Sequence, residues 1–190
     1  MNTDILLNTS IENIATVYGG MRGTTLSSRH NLRHWHMVVD SGVSTIIELR
    51  DNDRSERLCQ MCEKFGIRYM AFPMDYHRIP DEDIASGLMD FFTAIDHGDF
   101  YIACAMGLHR TDLALSIYWM FHAADKGLPP PLLKGHTADG KIIRHRVHNN
   151  IFRRLNSLYD YLSAQPIIPV PNHDTFKKRK ELLLTADERG

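Results

Sequence analysis

Residues 100–121, FYIACAMGLHRTDLALSIYWMF, constrain the fold of this chain more than any other stretch. An apolar run that favours a strand enters a short loop containing one glycine, and a helix follows. The segment 111–124, TDLALSIYWMFHAA, is apolar on nearly every face, so its helix has to be buried all round. The strand at 100–104 carries no charge, which predicts burial on both faces, as in a parallel sheet. Such a unit needs other strands beside it and helices over it.

The rest of the chain supplies both. IATVYGG (14–20) reads as a short strand ending in a glycine turn. In SSRHNLRHWHMVVDSG, Leu32, Trp35, Val38 and Val39 lie at helical spacing, Ser27 or Ser28 can cap, and Gly42 can stop the helix. VSTIIEL (43–49) is a buried strand. RSERLCQMCEKFG puts Leu58, Met61, Cys62 and Phe65 on one helical face, and IRYMAFPM (67–74) is a third strand. In IPDEDIASGLMDFFTAIDHGD, Pro80, Asp81 and Asp83 suit a helix start, and Ile84, Leu88, Phe91, Phe92 and Ile95 form its stripe. After a loop, Ile143, Val147, Ile151, Leu155, Leu158 and Leu162 mark a long final helix. PIIPVP (166–171) is extended, and TFKKRKELLLTADERG is a basic-then-apolar tail, a short helix or a frayed end. The expectation is an α/β fold: a central, mainly parallel sheet of about four or five strands flanked by helices. Residues 1–165 are expected to form a single domain, with 166–190 as a C-terminal extension.

Composition narrows the function. The 190 residues suit one domain with a sizeable core. The net charge of −1 supplies no global basic field, so a nucleic-acid partner is not expected. No apolar run reaches about 18 residues, so no membrane span is expected. The N-terminus lacks the basic region of a signal peptide. Three cysteines, Cys59, Cys62 and Cys104, argue against a disulfide framework and for a reducing compartment, hence the cytoplasm.

The chemistry lies in the loop Cys104-Ala105-Met106-Gly107-Leu108-His109-Arg110-Thr111. A loop between a strand and a helix N-terminus can point its amides into one concavity, and such a nest binds a tetrahedral oxyanion. Gly107 allows the tight fold. The Arg110 fork can hold two phosphate oxygens at once. Cys104 sits at the mouth of this positive field, which favours the nucleophilic thiolate. Thr111 can donate a hydrogen bond to the sulfur when it leaves.

Cys-x5-Arg-Thr between a buried strand and a buried helix resembles the cysteine-dependent protein tyrosine phosphatase superfamily. It looks most like the small dual-specificity branch, including the plant and fungal atypical type, whose signature also reads Cys-x-x-Gly-x-His-Arg-Thr. The resemblance covers roughly residues 14–124 and implies hydrolysis of phosphomonoesters through a phosphocysteine. It implies Cys104 as nucleophile, Arg110 and the amides of 105–110 as the phosphate site, Thr111 as support for the sulfur, and no cofactor or metal. A phosphorylated protein or small phosphoester is the expected partner. Two residues depart from the family's pattern. Ala103 replaces a histidine and Asp112 a frequent glycine, so slower turnover is expected. A catalytically weak phosphate-binding relative, an RNA 5′-triphosphatase and an inositol phosphate phosphatase are the alternatives.

The family's general acid is an aspartate on a loop ahead of the signature, and FPMDYHRIPDED offers Asp75, Asp81 and Asp83. Asp81 and Asp83 already serve as first-turn acids of a helix, whereas Asp75 lies directly after a strand and is preferred. Other features read as structural first. Cys59 and Cys62 are expected to pack rather than bind zinc. His30, His34 and His36 are expected to be solvated or capping, and Arg22 and Arg50 to make surface salt bridges. His109 either adds charge near the phosphate, or its side chain points to solvent or braces a neighbour. The basic stretch 141–154 is expected to be a solvated helix face.

Overall fold

The computed structural model describes residues 1–26, 32–50, 55–75, 78–133 and 141–187, with the side chains of 55, 141–148 and 187 excepted. In chain order the elements are α1 (Thr3–Leu7), β1 (Ala15–Val17), β2 (Gly20–Thr24), α2 (Leu32–Asp40), β3 (Thr45–Glu48), α3 (Ser55–Lys64) and β4 (Arg68–Ala71). They continue with α4 (Asp81–Asp96), β5 (Phe100–Cys104), α5 (His109–Phe121), a 3-10 turn (Ala123–Lys126), α6 (Lys141–Ala164) and α7 (His173–Asp187). The chain divides into two compact units. The first holds Met1–Met74 with Thr93–Thr111, and the second holds Asp75–Phe92 with Asp112–Gly190.

The first unit is built on a five-stranded sheet of order β1-β2-β5-β3-β4. Only β1 and β2 pair antiparallel; β2 with β5, β5 with β3, and β3 with β4 are parallel. This is the mainly parallel α/β sheet expected from the alternation of apolar runs. The segment 14–20, expected as one strand and a turn, is that strand and turn, and together they open a hairpin. Tyr18 and Gly19 take φ of +46° and +79°, the left-handed pair that a two-residue hairpin turn needs. The second arm, β2, hides in the sequence because GMRGT combines two glycines with an arginine, a composition that disfavours strands. The glycines are there for space. A Cβ on Gly20 would lie 2.5 Å from the Phe100 ring, and one on Gly23 would lie 2.3 Å from the Tyr101 hydroxyl.

One face of the sheet buries Met21, Ile46, Tyr101 and Ala103 with Leu6 of α1, Trp35 and Val38 of α2, and Leu58 and Cys62 of α3. Trp35 and Phe65 stack with centroids 5.7 Å apart. The helical stripe expected in α2 is only half used, because Leu32 and Val39 are exposed. The central strand β5 is buried along its whole length and ends at Cys104. In parallel sheets this carboxyl end is where ligands are bound.

In the second unit, Ile84, Leu88, Phe91 and Phe92 of α4 are buried, as is Ile95 in the first unit, and every residue of α5 from Thr111 to Phe121 is buried. The spacing had predicted both. Ile151, Leu155, Leu158 and Leu162 form the buried row of α6, while the side chains of Ile143 and Val147 lie outside the described residues. The tail is a packed helix. Phe176 of α7 stacks on Tyr159 at 4.0 Å and lies 6.1 Å from Phe121. Arg179 donates to the Met120 carbonyl and pairs with Asp125. Among the described residues, no helix is long and apolar enough to cross a membrane.

Candidate active site

Cys104 closes β5 and is 4% exposed. The Thr111 hydroxyl, on the first turn of α5 and fully buried, donates to its sulfur at 3.4 Å. Between them the chain turns at Gly107, whose φ is +65° and whose N–H closes on the Cys104 carbonyl at 3.2 Å. Only glycine fits. A Cβ here would lie 2.3 Å from the Gly23 carbonyl carbon and 2.7 Å from the Thr24 nitrogen. The loop therefore rests directly on the β2 backbone.

Three loop carbonyls are tied from outside the loop. Buried Arg22 donates through Nη2 to the Gly107 oxygen at 2.9 Å and to the Leu108 oxygen at 3.4 Å. Asn13 donates through Nδ2 to the Met106 oxygen at 2.8 Å. Arg22 was expected to make a surface salt bridge, but it is 2% exposed and serves the loop. Its strand is flanked on both sides, by β1 and β5, and its guanidinium ends on the loop carbonyls. Arg50 does make a salt bridge, but a buried one. Its Nε lies 2.6 Å from Oε1 of Glu48, with exposures of 6% and 0%. Glu48 also accepts from the Arg50 N–H at 3.1 Å and from the Thr25 hydroxyl at 2.6 Å. Thr25 in turn donates its backbone N–H to the Cys104 carbonyl at 2.9 Å. Across the β5–β3 ladder Glu48 faces Ala103. Tyr101 donates its hydroxyl to the Thr24 carbonyl at 2.7 Å, and burial together with the nearby Glu48 charge pushes that phenol well up.

The sequence-predicted residues fall as follows. Ala105, Met106 and His109 are exposed, Leu108 and Arg110 half-buried, and Gly107 buried. His109 and Arg110 open α5, so the amides there carry the positive end of the helix dipole. Asp112 occupies the first turn of α5, fully buried, in the second unit. Asp75, half-buried and also in the second unit, accepts from the Arg78 N–H at 3.1 Å. Asp81 is engaged by α6. Arg154 approaches its Oδ1 at 3.5 Å and Ser157 donates to Oδ2, while Arg154 also donates to the Ile79 carbonyl. Asp83 is exposed in the first turn of α4. Cys59 is exposed and Cys62 buried, both as free thiols. Burial, with Cys59 and Glu48 nearby, pushes the Cys62 thiol up to about 12. His34 shares a hydrogen bond with Ser10 at 3.1 Å, and His36 packs edge-on to Phe65, whereas His30 lies outside the described residues. The side chains of 141–148, most of the basic stretch, also lie outside them.

No protein-family model matches the sequence, and no curated protein is similar enough to match it. Solved structures do match. A protein of Shewanella putrefaciens assigned as a DUF442 phosphatase is 15% identical, with a TM-score of 0.51 over 80% of this chain and 97% of its own. TpbA of P. aeruginosa is 18% identical, with a TM-score of 0.47 over 78% of this chain and 91% of its own. The core catalytic domain of the PP-IP phosphatase SIW14 of S. cerevisiae is 15% identical, with a TM-score of 0.48 over 85% and 98%. The likeness is one of fold: with its five-stranded sheet and its Cys104 loop at the end of β5, the chain has the fold of the Shewanella protein assigned as a DUF442 phosphatase.

Proposed function

We propose that this chain is a cysteine-based phosphatase that hydrolyses phosphomonoesters, of phosphotyrosine or dual-specificity type, through a phosphocysteine. The observation that carries the reading is the Thr111 hydroxyl donating to the buried Cys104 sulfur across the Gly107 turn. A buried cysteine with only a packing role has no use for such a donor.

In the first step the Cys104 thiolate attacks phosphorus in line, forming the S–P bond as the P–O bond to the leaving group breaks. Arg110 and the loop amides take the charge on the equatorial oxygens, and Asp75 gives its proton to the leaving oxygen. In the second step the Asp75 carboxylate takes a proton from water, and water attacks phosphorus. The S–P bond then breaks, and the departing thiolate accepts the Thr111 hydrogen bond. Asp81 is the weaker candidate for the acid because Arg154 and Ser157 already hold it. Ala105, Met106 and Leu108 bring no charge to the rim, which suits modestly charged esters on a protein or a small molecule. The Shewanella protein of the same fold is assigned as a phosphatase, in keeping with this reading. We place the activity in the cytoplasm, where free cysteines persist.

The test is hydrolysis of a small aryl phosphate. Wild type should turn over, Cys104→Ser should not, and Arg110→Lys should lose at least about tenfold in kcat/KM. Equal rates for wild type and Cys104→Ser would remove the nucleophile. Ala103 favours one second reading, a phosphate-binding protein with little turnover. In that case orthovanadate binds, hydrolysis is absent, and Ala103→His restores some activity.

A further inference from the structure

The chain spends a buried guanidinium on a strand where an aliphatic side chain would cost far less to desolvate. Arg22 is 2% exposed, and its loop contacts are backbone carbonyls, at Gly107 and Leu108. Asn13 does the same for Met106, from a backbone φ of +57° that asparagine tolerates better than most residues. Three consecutive carbonyls of the loop are thus drawn to side chains contributed by the N-terminal hairpin region.

In a trans peptide the C=O and N–H of one unit point in opposite directions. Holding the Gly107 oxygen therefore aims the Leu108 N–H away from Arg22, and holding the Leu108 oxygen aims the His109 N–H the same way. Fixing the Met106 oxygen directs the Gly107 N–H back to Cys104, the contact seen at 3.2 Å. An amide nest binds an oxyanion well only if its donors are aimed before the anion arrives, since reorganising them would consume binding energy. The Arg22 charge behind the loop further favours an anion in front, and burial protects it from salt screening.

We propose that Arg22 and Asn13 are positioning residues that aim the Leu108 and His109 amides into the cradle and so set its affinity for a phosphoryl group. This rests on reading 104–111 as a phosphoryl cradle, which Arg22 serves through the loop backbone rather than by touching the substrate.

The experiment measures orthovanadate affinity, aryl phosphate kinetics and backbone amide resonances for wild type, Arg22→Met, Arg22→Lys and Asn13→Asp, with a thermal melt for each. Arg22→Met should weaken vanadate binding by roughly 10–100-fold and lower kcat/KM by a similar factor, with the Leu108 and His109 resonances displaced. Arg22→Lys should recover part of the loss, because one ammonium reaches one carbonyl more readily than two. Asn13→Asp, which keeps the backbone conformation but loses the donor, should cost several-fold. If Arg22→Met does not fold, Arg22→Lys and Asn13→Asp carry the same readouts. Folded variants that bind vanadate within twofold of wild type, with Leu108 and His109 unmoved, overturn the proposal while leaving the phosphatase reading standing. A wild type that neither binds vanadate nor hydrolyses the ester overturns that reading and the proposal with it.

Discussion

Cys104 and Thr111 sit seven residues apart, yet they share one hydrogen bond. Thr111→Val keeps the shape and removes the donor. If the bond matters mainly to the leaving sulfur, kcat should fall about tenfold while the burst of phosphocysteine formation survives. Rapid-quench kinetics read both at once. Cys62 gives a different prediction. Its thiol is raised from an ordinary 9.0 to about 12. Below pH 9 the folded and unfolded chains both keep the proton, and the thiol's contribution to stability is fully present. Between 9 and 12 only the folded chain keeps it, so stability falls as pH rises. Denaturation of wild type and Cys62→Ala across this range should show the wild-type advantage shrinking. The residues of the proposed cradle, Cys104, Gly107, Arg110 and Thr111, could be named from the sequence because their spacing is local. Arg22 and Asn13 could not, because their loop partners lie 85 and 93 positions away. Glu48 and Arg50 are only two apart, but nothing in IIELR shows that the pair is buried.

Among the elements, those with strong periodicity were the readable ones. The apolar stripe of α4 and the all-apolar α5 appear as the spacing required. The five-residue α1 is too short to show a period, and β2 has a composition that argues against a strand. What makes β2 a strand is long-range: Phe100 and Tyr101 need the space its glycines leave. The β2–loop contact is equally strict. Gly107→Ala combines a left-handed φ with a 2.3 Å clash against backbone, and should destabilise the loop by roughly 3 kcal/mol. Because the clash falls on β2 backbone, vanadate affinity should drop in the same variant even where the melt remains cooperative.

At the scale of the molecule, the α/β class followed from alternation, whereas the strand order did not, since sequence periodicity gives no neighbour relations. The tail is another case. Residues 166–190 were expected as an extension, and α7 buries Phe176, Leu183 and Arg179 within its unit. Deleting them uncovers Phe121 and Tyr159 and leaves Asp125 without Arg179. The melting temperature should fall by roughly 5–15 °C, read by calorimetry, from the loss of several buried side chains. An unchanged melt would make the tail dispensable.

The strand order β1-β2-β5-β3-β4 also fixes a sequence of events in time. The middle strand of the sheet is the last of the five to be synthesised. Until residues 100–104 emerge, β1–β2 and β3–β4 can exist only as two separate pairs, each with an open inner edge. The insertion that joins them brings Cys104 beside Thr24 and lays Gly107 on Gly23. Completion of the sheet and seating of the 104–111 loop on β2 are therefore one event. A nascent chain caught before it carries Cys104 without the β2 neighbours that surround it in the finished sheet.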